Sequence, residues 1–96
     1  MADTPHITFS LFVLSLSASA EIHMGQLPPP GSDEPAAQHL TEAAHLIEVI
    51  AMLEEKTAGN LEESEEGLIS AVLYDLRMRY VEASRAARAG KRVVEP

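Results

Sequence analysis

No cysteine occurs among the 96 residues, and that one absence closes off several chemistries. Without thiols there is no disulfide framework, no thiolate metal site and no thiol nucleophile, so a stapled secreted mini-protein is excluded. A cytoplasmic location is the expectation that fits. Tryptophan is absent as well, and the only aromatic residues are Phe9, Phe12, Tyr74 and Tyr80. The 46% hydrophobic content therefore rests on Leu, Ile, Val, Met and Ala, a composition that favours helix over strand. A chain this short buries a small fraction of its surface, so its core is marginal unless something supplements it.

Basic residues are scarce through most of the chain. Residues 1 to 66 hold twelve acids against one base, Lys56, whereas residues 67 to 96 hold three acids against six bases. The net charge of −8 suits solubility and argues against nucleic acid as the default partner. The basic C-terminal part also complements the negative end of a helix dipole.

A long uninterrupted apolar run is missing too. The nearest approach is "TFSLFVLSLSASAEIHMG", residues 8 to 25, which superficially resembles the end of a secretory signal. Such a signal needs a basic region before its apolar block. Here "MADTPHI" carries no Lys or Arg but does carry Asp3, and Ser10 and Ser15 interrupt the apolar block. The segment is thus expected to be retained rather than cleaved after Ala18 or Ala20. A membrane span needs about 20 consecutive apolar residues, which four serines and Glu21 deny, so no membrane association is expected.

Two periodicities compete within this segment. Leu14 to Met24 alternates apolar and polar, while Ile7, Leu11, Leu14, Ala18 and Ile22 recur at helical spacing. The Ala and Leu content, and the lack of any second strand-like segment to pair with, predict a helix over about residues 8–24. Leu11, Phe12, Val13 and Leu14 are consecutive, and because neighbouring helix positions differ by about 100° they point around most of the circumference. One packed hairpin covers only one side. Self-association as a dimer or larger assembly, through Leu11, Phe12, Val13, Leu14 and Leu16, is the expected remedy.

The segment "QLPPPGSDEP", residues 26–35, holds four prolines and a glycine and reads as a rigid linker, with a polyproline docking ligand as the alternative. From Pro35, apolar residues at 36, 40, 43, 47, 50 and 53 predict a helix over 36–57, stopping at Gly59. Asn60 and Glu63 form a capping-box pattern for a third helix over 62–88, followed by a tail from Gly90. Its inward stripe is Ile69, Val72, Leu73, Leu76, Tyr80 and Ala83, with Asp75, Arg79 and Glu82 opposite. The link at Ala58–Asn60 is short enough to make these two helices an antiparallel hairpin. Together the pattern predicts an all-α domain of three helices over residues 8–89, between an N-terminal tail of residues 1–7 and a C-terminal one of 90–96.

Three stretches suggest kinship: "FVLSLSASAEIHMG", "MLEEKTAGNLEESEEGLISAVLYDLRMRYVE" and the Pro-rich link between them. Over about residues 8 to 83 the chain resembles DUF1844, a family of small uncharacterised bacterial helical proteins. The resemblance implies a cytoplasmic helical protein with a His23-x-Gly25 turn after the first helix, and it supplies no catalytic residue.

Few groups here carry chemistry. Glu42 and His45 form one Glu-x-x-His on a single helix face, where carboxylate-bridged metal bundles use two. A solvated face accounts for it better. His23 reads as a capping or packing group, and Ser10, Ser15, Ser17 and Ser19 have no base positioned beside them. No phosphate loop or zinc-ligand set is present. Arg77, Arg79, Arg85, Arg88, Lys91 and Arg92 form a basic helix end that would suit an acidic protein or RNA, yet only Tyr80 is available to stack on bases. The sequence therefore predicts no enzyme, no metal and no cofactor, but a small interaction or assembly module that binds itself, with an unidentified protein as the further partner. RNA or ribosome binding through the arginines is the alternative. Far-UV circular dichroism should be helix-dominated, and intact mass after expression from the natural start should retain residues 8 to 25. A strong β signal would refute the first expectation, and cleavage after Ala18 or Ala20 the second.

Overall fold

The computed structural model describes residues 7–25 and 39–92, with side chains through residue 88. The Pro-rich linker, Ala36 and the outermost parts of both tails lie outside the described residues. Three helices follow in order: α1 Phe9–His23, α2 Leu40–Lys56 and α3 Glu63–Arg92. Each packs on both of the others, and no strand occurs among the described residues. The fold is all-α.

Each boundary has a local cause. Thr8 is extended, and its hydroxyl accepts the Leu11 N–H at 3.0 Å, capping α1. At the other end the Gly25 N–H reaches the Ile22 carbonyl while Gly25 adopts a φ of 79°, open to glycine at little steric cost. This is the His23-x-Gly25 turn. The His39 N–H then donates to the His23 carbonyl, which fastens the start of α2 to the end of α1. At the far end of α2 the Thr57 hydroxyl donates to the Leu53 carbonyl at 2.7 Å, and Gly59 turns the chain with a φ of 87°.

Two expectations about α3 are corrected. Asn60 and Glu63 do not form the capping box; the Glu62 N–H donates to the Glu65 carboxylate at 2.8 Å, two residues later. Asn60 is engaged in the turn, its N–H bonded to the Thr57 carbonyl, so the helix begins only when the turn is complete. Nor does the helix stop before Gly90. It continues to Arg92, because one glycine inside a helix costs only about 1 kcal/mol and Ala86, Ala87 and Ala89 around it are the best helix formers. For α2, the observed start at Leu40 falls after the expected position 36, which precedes the described residues.

The core consists of Val13 and Ala20 from α1 with Met24 just after it, Ala43, Ile47 and Ile50 from α2, and Ile69, Leu73, Leu76 and Ala83 from α3. It is wholly apolar among the described residues. The α2 and α3 stripes match those expected, with Leu40, Leu53, Val72 and Tyr80 packed partly buried at the edges. α1 is phased differently from its most regular sequence pattern. Its inward row is Phe9, Val13, Leu16, Ala20 and Met24, while Ile7, Leu11, Leu14 and Ala18 face solvent. Full burial of a Val, Leu or Ile side chain contributes roughly 1.5–3 kcal/mol. Surface polar contacts add little beside that: Ser70 donates to Glu54 at 2.9 Å between α3 and α2, and Arg79 links Asp75 and, at 3.9 Å, Glu21 of α1.

Leu73 and Tyr74 are neighbours with opposite environments, the first 2% and the second 70% exposed. Leu73→Asp should unfold the domain, since a carboxylate buried without a partner costs several kcal/mol against a total of about 5–15 kcal/mol. Tyr74→Asp should leave the melting temperature within a few degrees. Similar melting temperatures for the two variants would show that the α3 stripe is wrongly phased.

Candidate functional site

Three features are candidates: the outer face of α1, a pocket between α1 and α2, and the basic end of α3. On α1 the consecutive residues 11 to 14 separate as helical geometry requires. Val13 points into the chain's own core, whereas Leu11, Phe12 and Leu14 are 52%, 44% and 46% exposed and Ile7 before them is 77% exposed. Leu16 packs partly buried against the core. Of the five residues expected to mediate self-association, three therefore lie on the surface and two are used inside the chain. The surface set gains Ile7, which lies just before α1 but was already legible in the spacing 7, 11, 14, 18.

The hydroxyl groups beside this face are occupied. The Thr8 side chain caps the helix, and the Ser15 hydroxyl donates to the Leu11 carbonyl at 3.0 Å. Neither group depends on water for its hydrogen bond. Ser10 and Ser17 are half-buried, but Ser15 and Ser19 are exposed, so small serines serve close packing at only some of these positions.

Beside the α1–α2 junction lies an open pocket of about 390 Å³ lined by His23, Thr41, Glu42, His45 and Leu46. The structure thus brings His23 alongside the Glu42-x-x-His45 pair. The His23 ring meets His39 edge-to-face at 5.8 Å, and its Nδ1 is buried with no hydrogen-bond partner. Imidazole and carboxylate groups are the raw material of acid–base and metal chemistry. Among the described residues, however, no three His, Cys, Asp or Glu side chains are grouped to hold an ion. Two histidines, a glutamate and a threonine on an apolar floor make packing the role that the geometry supports.

On α3, Arg77, Arg85 and Arg88 are exposed. Arg79 is held by Asp75 at 2.8 Å and by Glu21. Arg92 ends the helix, its side chain lying outside those described. Tyr74, Met78 and Val81 form a second exposed apolar row on α3, spaced by four and three residues, which the sequence expectation did not single out. The spacing 74, 78, 81 carries its signal in the sequence.

Zinc added in slight excess should leave the melting temperature unchanged. An ion bound at a hundredfold over its dissociation constant would stabilise by about 2.7 kcal/mol, so an upward shift of several degrees would place a metal among His23, Glu42 and His45.

Among the described residues no helix is long and apolar enough to cross a membrane. No curated protein and no solved structure matches this chain. A family model described as a domain of unknown function (DUF1844) matches residues 6–82, taking in all of α1 and α2 and ending inside α3, before Arg85. With most of its length matched, the chain belongs to that family.

Proposed function

We propose that this protein is a small non-enzymatic interaction and assembly module of the cytoplasm, whose first partner is another copy of itself. One observation carries the proposal: Ile7 just before α1 and Leu11, Phe12 and Leu14 in its first turns all expose large apolar side chains. Soluble monomers rarely tolerate a contiguous apolar surface unless it is used for binding. A face of this kind suits a partner that is itself apolar. The pocket at His23 offers no positioned nucleophile, which is why catalysis is not proposed.

A second role, RNA or ribosome binding, is supported by the exposure of Arg77, Arg85 and Arg88. It ranks below the first because Arg79 is engaged by carboxylates, Glu82 interrupts the basic surface and Tyr80, the aromatic residue among these arginines, is partly buried. Replacing Arg85, Arg88 and Arg92 by Gln separates the two. RNA that co-purifies with the natural chain and is lost in this variant would put the second role first.

Gel filtration with light scattering tests the assembly role directly. The natural chain at tens of micromolar should exceed the 10.4 kDa of one copy, and Leu11→Glu should return it to that mass with its helicity intact. A well-folded natural monomer at that concentration would end the proposal.

A further inference from the structure

The outward face of α3 carries more than an apolar row. Tyr74, Met78, Val81, Arg85 and Arg88 follow one another at intervals of four, three, four and three residues, which confines all five to about 80° of the helix circumference. All five are exposed. An apolar strip thus runs straight into a cationic one, and Arg77, also exposed, lies one turn from Val81 along its flank. Among the described residues no carboxylate pairs with Arg77, Arg85 or Arg88. Arg79, which falls well outside this arc, is the arginine that Asp75 and Glu21 hold. The unpaired cations are therefore the ones that share the apolar face.

We infer that this face docks an acidic, amphipathic segment of another protein, whose apolar residues cover Tyr74, Met78 and Val81 while its carboxylates meet Arg77, Arg85 and Arg88. The surface is separate from the α1 face and does not depend on self-assembly. A helical segment suits it, because apolar and then acidic residues spaced by three and four can track the whole strip along one side. A recess beside the row offers an anchor point. Arg77, Tyr80 and Val81 face Ala44, Ile47 and Glu48 of α2 across a cavity of about 240 Å³, where one inserted apolar side chain would be held between the two helices.

Other anionic surfaces match only part of this face. RNA offers phosphates to the arginines and bases to Tyr74, but nothing to Met78 and Val81. An anionic membrane would meet Asp75 and Glu82 bordering the strip, together with a net charge of −8 on the whole chain. An acidic protein segment satisfies both halves. Because the arginines are exposed, their share of the binding is open to screening by salt.

The test uses a fluorescent synthetic peptide that repeats the α3 spacing with three Leu followed by two Glu, and a twin with Lys in place of Glu. Anisotropy with the full-length chain should detect binding of the Glu peptide and none of the Lys twin. Replacing Arg85 and Arg88 together by Gln should weaken that binding by about tenfold, and Met78→Gln should weaken it as well. Both variants should keep their helicity, since all three side chains are exposed. Leu11→Glu should bind the Glu peptide unchanged, which separates this face from that of α1. Raising salt from about 50 to about 500 mM should weaken the complex several-fold. Equal binding of the two peptides, or binding untouched by the arginine and Met78 variants, would overturn the inference. So would no binding at about 1 mM peptide, or tighter binding of a single-stranded RNA or of phosphatidylserine vesicles through the same arginines. Binding lost in Leu11→Glu but kept in the arginine variant would move the site to α1, and a natural chain that is monomeric yet binds the Glu peptide would remove self-assembly alone.

Discussion

The docking of α1 into the groove of the α2–α3 hairpin is the contact on which the rest of this small fold depends. Met24, Ala20 and Val13 are almost wholly withdrawn from water, and each sits in the same cluster as Ile50, Ile69 and Leu76. Without α1, the hairpin would have one apolar flank in water. Without the hairpin, α1 would have apolar residues on every side and no way to stay in solution. A two-helix unit of this length buries too little to balance chain entropy, so the three helices are expected to form and melt together. The short connection from Gly59 sets the direction of the hairpin, while the His39-to-His23 backbone bond fixes where α2 departs from α1.

That contact also explains the unusual chemistry of α1. A helix required to bury one face needs roughly a third of its circumference apolar. This helix has apolar residues well beyond that. Val13 and Leu16 are accounted for by the core, but Leu11 and Leu14 are not, and leaving them exposed weakens rather than stabilises a monomer. Their presence is intelligible if the surface they form has its own use. The α3 helix shows a milder form of the same excess in Tyr74, Met78 and Val81, although there the neighbouring charges keep the row well hydrated.

Much of this architecture was legible because α2 and α3 are amphipathic with a single apolar stripe, so periodicity and burial agree at Ile47, Ile50, Leu73 and Leu76. α1 was legible as a helix but not in phase. With apolar residues all round, the strongest pattern, Ile7-Leu11-Leu14-Ala18, proved to be the outward one, and only the hairpin decides which face is inside. Asn60 and Glu63 carry the capping-box spacing, but the turn closing on the Thr57 carbonyl takes up Asn60 first, and the Glu65 carboxylate accepts the Glu62 N–H instead, at a residue that is not among the usual N-caps. At Gly90 a local stop signal lost to the helix-forming alanines around it. The approach of His23 to Glu42 and His45 could not be read from spacing at all, since it depends on how α1 meets α2 beside the Pro-rich link.

Electrostatics then restricts how two such molecules can approach. Each copy carries −8 overall, and its first 66 residues hold twelve of the fifteen acids. Two copies with the same net charge repel one another over about 8–10 Å at moderate ionic strength. Residues 4 to 20, which include most of α1, hold no Asp, Glu, Lys or Arg, so an approach through that stretch adds no like charges of its own. Hydrophobic contact there supplies attraction without direction, and the surrounding charge supplies the direction. Added salt would screen the repulsion while leaving apolar burial in place, so association of the kind proposed through α1 would strengthen as ionic strength rises. Contacts made by Arg77, Arg85 and Arg88 with an acidic or phosphate-bearing partner respond in the opposite sense, because there the charges themselves are the attraction. The sign of the salt response thus follows from which end of the molecule is engaged.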